Sequence, residues 1–162
     1  MGESAKVDIE ATVEFFRAAV DFDWTWGVED VQRFSQIVGW KPADFGTEST
    51  IVMLTKAPLE KPFARFQLFD GTLNQVVIHL TDAVESLPRE VSVDTFAAAS
   101  ASLNEILGAP ILRVTDGDQK IFWKTSKFIG ELVMLDGNVL ASVFRPDYWM
   151  LVEELQARGI EL

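Results

Sequence analysis

The chain has 162 residues, with 14 Lys and Arg against 25 Asp and Glu, so its formal net charge is −11. This length suits one domain with a buried core, and we expect residues 1–162 to form it. The acidity disfavours binding to nucleic-acid phosphates or to acidic membrane surfaces. The absence of cysteine and the presence of one histidine exclude disulfides, thiolate nucleophiles and Cys/His zinc sites.

The sequence also indicates the cellular compartment of the protein. Hydrophobic residues make up 48% of the chain, yet no run approaches the roughly 20 apolar residues of a membrane span. The first ten residues carry four charges and no apolar segment of the kind found in secretory signals. We therefore expect a cytoplasmic protein.

The first predicted element is a helix over residues 8–22. Its apolar residues form two stripes on nearly opposite sides: Ile9, Val13, Phe16 and Val20 on one, and Ala11, Phe15, Ala18 and Phe22 on the other. A polar strip consists of Glu10, Glu14, Arg17 and Asp21. Such a helix either lies between layers of its own protein or keeps one stripe for a partner.

A second helix is predicted over residues 28–38, ending at Gly39. The two helices are separated by Asp23-Trp24-Thr25-Trp26-Gly27. Two tryptophans flanked by acids can anchor an interface, or they can cover the core. Both interpretations remain open.

Residues 41–49 are predicted to form a loop, followed by strands at 50–55, 63–69 and 72–81. Asp70-Gly71 joins the last two strands and is a strong hairpin signal, because glycine readily adopts the positive φ of a tight turn. Along the third strand, alternation puts Val76, Ile78 and Leu80 on one face. Leu73, Val77 and His79 are expected on the other.

The second half begins with a helix capped by Asp94 and ending at Gly108. Four strands follow, at 111–115, 120–125, 128–135 and 138–144, with turns at 116–118 and 136–137. A last helix starts at Pro146-Asp147, ends at Gly159, and faces inward with Tyr148, Leu151, Val152 and Leu155.

The short turns favour antiparallel neighbours. We therefore predict an α+β fold, with an antiparallel sheet built from two strand meanders and N-terminal, middle and C-terminal helices packed on it. Each half has a meander followed by a helix, so the halves are candidates for structural repeats.

Candidate catalytic chemistry is sparse. The sequence has no phosphate-binding loop, dinucleotide fingerprint or nucleophile elbow, and Asp116-Gly117-Asp118 lacks the acidic residues that would complete a calcium loop. His79 with Asp82 is the nearest approach to an acid–base pair. We expect no enzyme activity, no catalytic residue, no cofactor and no metal site.

Several short motifs resemble a family of small actinobacterial proteins of unknown function. The motifs span nearly the whole chain: Asp23-Trp24-Thr25-Trp26, Val38-Gly39-Trp40, Leu80-Thr81-Asp82, Leu107-Gly108-Ala109-Pro110, Phe122-Trp123 and Pro146-Asp147-Tyr148. The resemblance places the immunity factor of the tuberculosis necrotizing toxin, an NAD-hydrolysing enzyme, in the same family. It thus implies a protein that binds a secreted toxin domain and blocks its active site, and it supplies no catalytic residues.

Three hypotheses follow. The first is an immunity (antitoxin) protein that occludes the active site of a toxin, in which an acidic surface steers a basic partner. The second is a chaperone or adaptor for a secretion substrate, and the third is an enzyme that uses His79 and Asp82. Residues 1–50 hold ten acids against four bases, which is more than half of the net charge. The expected partner-binding residues lie there: Glu10, Glu14, Asp21, Asp23, Trp24 and Trp26.

Overall fold

The computed structural model describes residues 9–55, 62–81, 88–115, 118–135 and 138–159. In these residues the helices are α1 (Ile9–Asp21), α2 (Glu29–Val38), α3 (Arg89–Leu107) and α4 (Tyr148–Ala157). The strands are β1 (Lys41–Gly46), β2 (Thr50–Leu54), β3 (Phe63–Phe69), β4 (Thr72–His79), β5 (Leu112–Val114), β6 (Gln119–Lys124), β7 (Ile129–Leu135) and β8 (Asn138–Phe144).

The strands form one eight-stranded sheet in the order β1-β2-β3-β4-β8-β7-β6-β5. Every pairing is antiparallel, and the two meanders β1–β4 and β5–β8 join where β4 pairs with β8. The predicted α+β class, the two meanders and the three helix positions are thus confirmed. None of the helices formed by the described residues is long and apolar enough to cross a membrane.

The hairpin between β3 and β4 has the predicted geometry. Asp70 and Gly71 adopt φ values of 52° and 74°. Positive φ at both central positions belongs to the type I′ turn, whose twist matches that of the two strands. The turns predicted at 116–118 and 136–137 include residues outside the described ranges.

The main core lies between one face of the sheet and the layer formed by α1, α2 and α3. Aromatic rings link these layers: Phe15 contacts Phe34 at 5.7 Å between centroids, and Trp40 contacts both Phe34 (5.6 Å) and Phe66 (5.9 Å). None of the eight residues in the two apolar stripes of α1 is exposed. Helix α1 is therefore sandwiched within its own protein.

A smaller core lies on the opposite face of the sheet, under α4. Phe122, Ile129 and Phe144 are buried there, and Tyr148 and Trp149 pack against them. The ring of Tyr148 stacks on that of Phe144 at 3.9 Å. Helix α4 covers only this end of the sheet.

Three predictions about elements were wrong. The loop predicted over residues 41–49 contains β1, an edge strand that pairs with β2 but is mostly exposed, so it lacks the apolar alternation by which strands are recognised. Asp94 does not cap α3, because the helix begins at Arg89, after the extended residue Pro88. Leu151 is 48% exposed, since α4 buries Val152 alone.

One prediction about faces was also wrong. Leu73 lies in the main core with Val76 and Ile78, although alternation had put it on the other face. The register between β3 and β4 shifts between Gln67 and Leu68. An irregularity of this kind reverses the side-chain alternation beyond it, and the sequence carried no sign of it.

Gly130 lies where side chains of two helices pack closely against the sheet. A Cβ added at this position would lie 3.3 Å from Leu107 Cδ1 of α3 and 3.5 Å from Phe16 Cε1 of α1. We expect Gly130→Val to lower the free energy of unfolding by about 2 kcal/mol through overpacking, and Gly130→Ala to lower it by much less. Urea titration compares the two, and equal effects would show that space at Gly130 is not limiting.

Candidate functional site

Four exposed acidic residues lie in and just beyond α1. Glu10, Glu14 and Asp21 follow the same side of the helix, with exposed Arg17 between them, because positions separated by four, seven and eleven residues align on a helix. Asp23 is exposed two residues after the helix ends. These residues form a solvent-facing strip on a helix whose other sides are packed into the protein. We call Glu10, Glu14, Asp21 and Asp23 the acidic strip.

The two tryptophans that follow the strip face the core instead. Trp26 is 8% exposed and Trp24 is half-buried, and their indoles stack at 4.6 Å with an interplanar angle of 13°. Trp24 also stacks on Phe34 at 5.1 Å. Of the two interpretations of this segment, the geometry agrees with covering the core, and it leaves Trp26 little surface to offer a partner.

Both indoles donate hydrogen bonds to backbone carbonyls. Nε1 of Trp24 donates to the carbonyl of Ala19 at 2.9 Å, and Nε1 of Trp26 donates to that of Lys127 at 3.3 Å. The ammonium group of Lys127 in turn donates to the carbonyl of Val20 at 2.9 Å. A cation at the carboxyl end of α1 also complements the helix dipole. The β6–β7 turn thereby fixes the end of the acidic strip.

The segment is held together by Asp30, a carboxylate that the sequence analysis did not single out. Its side chain is fully buried. The backbone amides of Thr25 and Trp26 donate to Asp30 Oδ2 at 2.9 and 2.7 Å, and Arg33 Nη1 contacts Oδ1 at 2.6 Å. Trp26 adopts a left-handed φ of 60°, which is unfavourable for a large side chain. The bonds to Asp30 hold it there.

A cavity of about 240 Å³ opens beside the acidic strip, between α1, the end of α2 and the ends of β2–β4. Its aromatic walls come from Phe15, Trp40 and Phe63, and Ile37, which is 63% exposed, also lines it. Among the described residues that line it, Glu14 of the strip is the one carboxylate, and none is a Lys or Arg. The acidic strip and the cavity are thus continuous.

His79 also borders this cavity. Because Ile78 points into the main core, alternation along β4 directs the side chain of His79 toward the opposite face of the sheet. Asp82, its suggested companion, lies outside the described residues. Among the residues that the structure describes, no three His, Asp or Glu side chains form a cluster able to hold a metal ion.

A second carboxylate of interest lies near α4, on the face of the sheet opposite α1. Glu131 of β7 is buried between its cross-strand neighbours Phe122 and Ser142. Burial raises its pKa from 4.5 to about 7, although the charge of Lys120 acts in the opposite direction. Burial, and then the charge of Glu131, raise the pKa of Tyr148 to about 12. This site lies on the opposite face of the sheet from α1.

The fold and the site define an α+β protein with three helices on one face of an eight-stranded antiparallel sheet, and an acidic helix at its surface. The chain belongs to a family of unknown function, DUF6301, whose model matches residues 10–144. Comparisons with curated proteins and with solved structures found no match. The resemblance to a family of unknown function is thus confirmed, and its link to toxin immunity stays a prediction.

Proposed function

We propose that this protein is an immunity protein, which binds a secreted toxin domain through the acidic strip and blocks the toxin's active site. An NAD glycohydrolase is the toxin class that the sequence resemblance implies. The observation that carries the proposal is the acidic strip itself, exposed along a helix whose remaining sides are packed. A rigid, preorganised surface of this kind reduces the entropy lost on association.

The charge of the strip fits a basic partner. Opposite charges accelerate encounter and disfavour wrong partners, and an inhibitor needs complementarity rather than chemistry. Of the six residues in our proposed interface, the four acids of the strip lie at the surface, whereas Trp26 is buried and acts by shaping the segment. Trp24 offers the exposed part of its half-buried side chain.

The chaperone hypothesis relied on a spare apolar stripe of α1 or on the sheet surface. No residue of either stripe of α1 is exposed, and the accessible part of the second stripe, at Ala11, Phe15 and Ala18, lines a cavity of only about 240 Å³. No observation favours the chaperone over the inhibitor, and the assay below separates them, because a chaperone would keep its client soluble without reducing any enzyme activity.

The test is co-expression with an NAD-hydrolysing toxin domain of the class that the resemblance implies, followed by gel filtration and an assay of NAD hydrolysis. We expect cell survival, a complex that elutes as one species, and loss of toxin activity. Survival without inhibition of the purified toxin would support the chaperone instead. Continued killing with no complex would overturn the proposal.

A charge-matched pair of variants locates the interface. The strip variant carries Glu10→Gln, Glu14→Gln, Asp21→Asn and Asp23→Asn, and the control carries Glu90→Gln, Asp94→Asn, Glu105→Gln and Glu153→Gln, all at exposed positions on α3 and α4. Both lose four negative charges. We expect the association rate with the toxin to fall about tenfold in the strip variant at low salt, and to change little in the control. Equal effects would show that net charge, rather than the strip, steers binding.

A further inference from the structure

We infer that the cavity beside Glu14 receives one arginine side chain of the protein partner. This inference rests on the proposed function, and it identifies the chemistry of the contact that the acidic strip would guide. The cavity has a suitable size, aromatic walls and one carboxylate among its described lining residues.

The volume suits one side chain. At about 240 Å³ the cavity is smaller than the roughly 300–1,000 Å³ of pockets that enclose drug-sized ligands. It lies at the surface next to exposed Ile37 and Glu14, so a residue on a partner's surface can reach it. An inserted side chain would be the kind of buried anchor that dominates protein interfaces.

The lining selects for a cation with an apolar stem. Phe15 and Trp40 stack at 5.8 Å, and Phe63 packs edge-on against Phe45 at 4.9 Å, which holds the aromatic walls in place. Aromatic faces attract cations, and Glu14 supplies the opposite charge. Of the lining residues that the structure describes, none is a Lys or Arg that would repel the incoming group.

Arginine fits this lining better than lysine. Its guanidinium group is planar, stacks on aromatic rings, is weakly hydrated and can pair with a carboxylate through two hydrogen bonds. An ammonium group is more strongly hydrated and would lose more on entering an aromatic cavity. The inserted side chain is therefore an arginine.

The first test uses small probes and the protein alone, so its outcome does not depend on the toxin. We expect n-butylguanidinium, followed by NMR titration, to shift the resonances of cavity residues with a Kd of about 1–10 mM, as suits a ligand of so few atoms. Its neutral isostere n-butylurea should bind about tenfold more weakly, and n-butylammonium about threefold more weakly. Equal binding of the urea, or no shift in the cavity, would overturn the inference.

Three variants test which residues contact the bound cation. Glu14→Gln should abolish the preference for the cation over the urea, whereas Glu10→Gln, which removes an equal charge one helical turn away and outside the cavity lining, should preserve it. Ala18→Leu adds volume at a lining residue and should abolish binding of all three probes. Amide spectra and urea titration establish that each variant is folded. Retention of the cation preference in Glu14→Gln would refute the role of that carboxylate.

The last test measures the affinity of the toxin complex. Ala18→Leu should weaken the complex at least about tenfold, as expected for loss of a buried anchor. If the probes bind as expected but Ala18→Leu leaves the complex unchanged, the cavity serves a free organic cation and the arginine assignment is wrong. If no toxin complex forms at all while the probes bind, the proposed function fails and the cation site remains.

Discussion

Replacing Asp30 with alanine is expected to lower the free energy of unfolding by about 3–5 kcal/mol, the largest effect of any single change proposed for this protein. The substitution leaves the amides of Thr25 and Trp26 without their acceptor and removes the partner of Arg33. Loss of the acceptor for the buried amide of Trp26 costs about 1–3 kcal/mol, and loss of that for the part-buried amide of Thr25 costs less. Breaking the ion pair between buried Asp30 and Arg33, which is 41% exposed, adds to that.

The loss should be visible locally as well. Without Asp30 the amide of Trp26 loses the acceptor that holds this residue at its left-handed φ, so the stack of Trp24 on Trp26 is expected to loosen. Urea titration measures the stability, and the exciton signal of the stacked indoles in circular dichroism reports the local geometry. Asp30→Asn keeps one acceptor oxygen and should lie between the wild type and Asp30→Ala.

Glu29 provides the matched control, because it is the neighbouring acid and also accepts a hydrogen bond from Thr25. Its hydrogen bonds lower its pKa, yet its side chain is open to solvent and water can replace them. We expect Glu29→Gln to leave the urea midpoint close to that of the wild type. A similar loss in both variants would mean that Asp30 has no special role in the segment.

The sequence was sufficient for most of the fold because apolar periodicity and turn residues are local signals. The meander β5–β8 and the Asp70-Gly71 hairpin illustrate this, since strands with several apolar residues are separated by residues that favour tight turns. The signals failed where structure depends on partners distant in the chain. Strand β1 exists through pairing with β2, and the face of Leu73 depends on a register shift between β3 and β4.

The candidate site was predictable only in part. Helical spacing was enough to place Glu10, Glu14 and Asp21 on one exposed side of α1. The sequence did not show that Asp30 turns inward, because the position of a carboxylate on a short amphipathic helix says nothing of the unpaired amides it will meet. The cavity was equally hidden, since it joins Glu14 to Trp40 and Phe63, which lie on elements far apart in the sequence.

Glu131 makes the stability of the protein depend on pH in the direction opposite to that of an ordinary ion-paired carboxylate. Its pKa is about 7 in the folded protein against 4.5 for an exposed glutamate, so between these values the folded state binds more protons than the unfolded state. The contribution of Glu131 to the free energy of unfolding is therefore fully present below about pH 4.5. It is lost as the pH rises through 7, and the loss amounts to roughly 3 kcal/mol in all.

Glu131→Gln removes this dependence, because glutamine stays neutral at every pH while keeping the size of the side chain. Relative to the wild type, we expect the variant to gain about 3 kcal/mol between about pH 4 and about pH 8, measured by urea titration at each pH. Glu105→Gln, at an exposed position on α3, serves as the control and should show no such gain.

Lys120→Gln should extend the fall in stability to higher pH, since the charge of Lys120 holds the pKa of Glu131 down. A difference between Glu131→Gln and the wild type that stays constant across this pH range would show that the pKa of Glu131 is the same in the folded and unfolded protein.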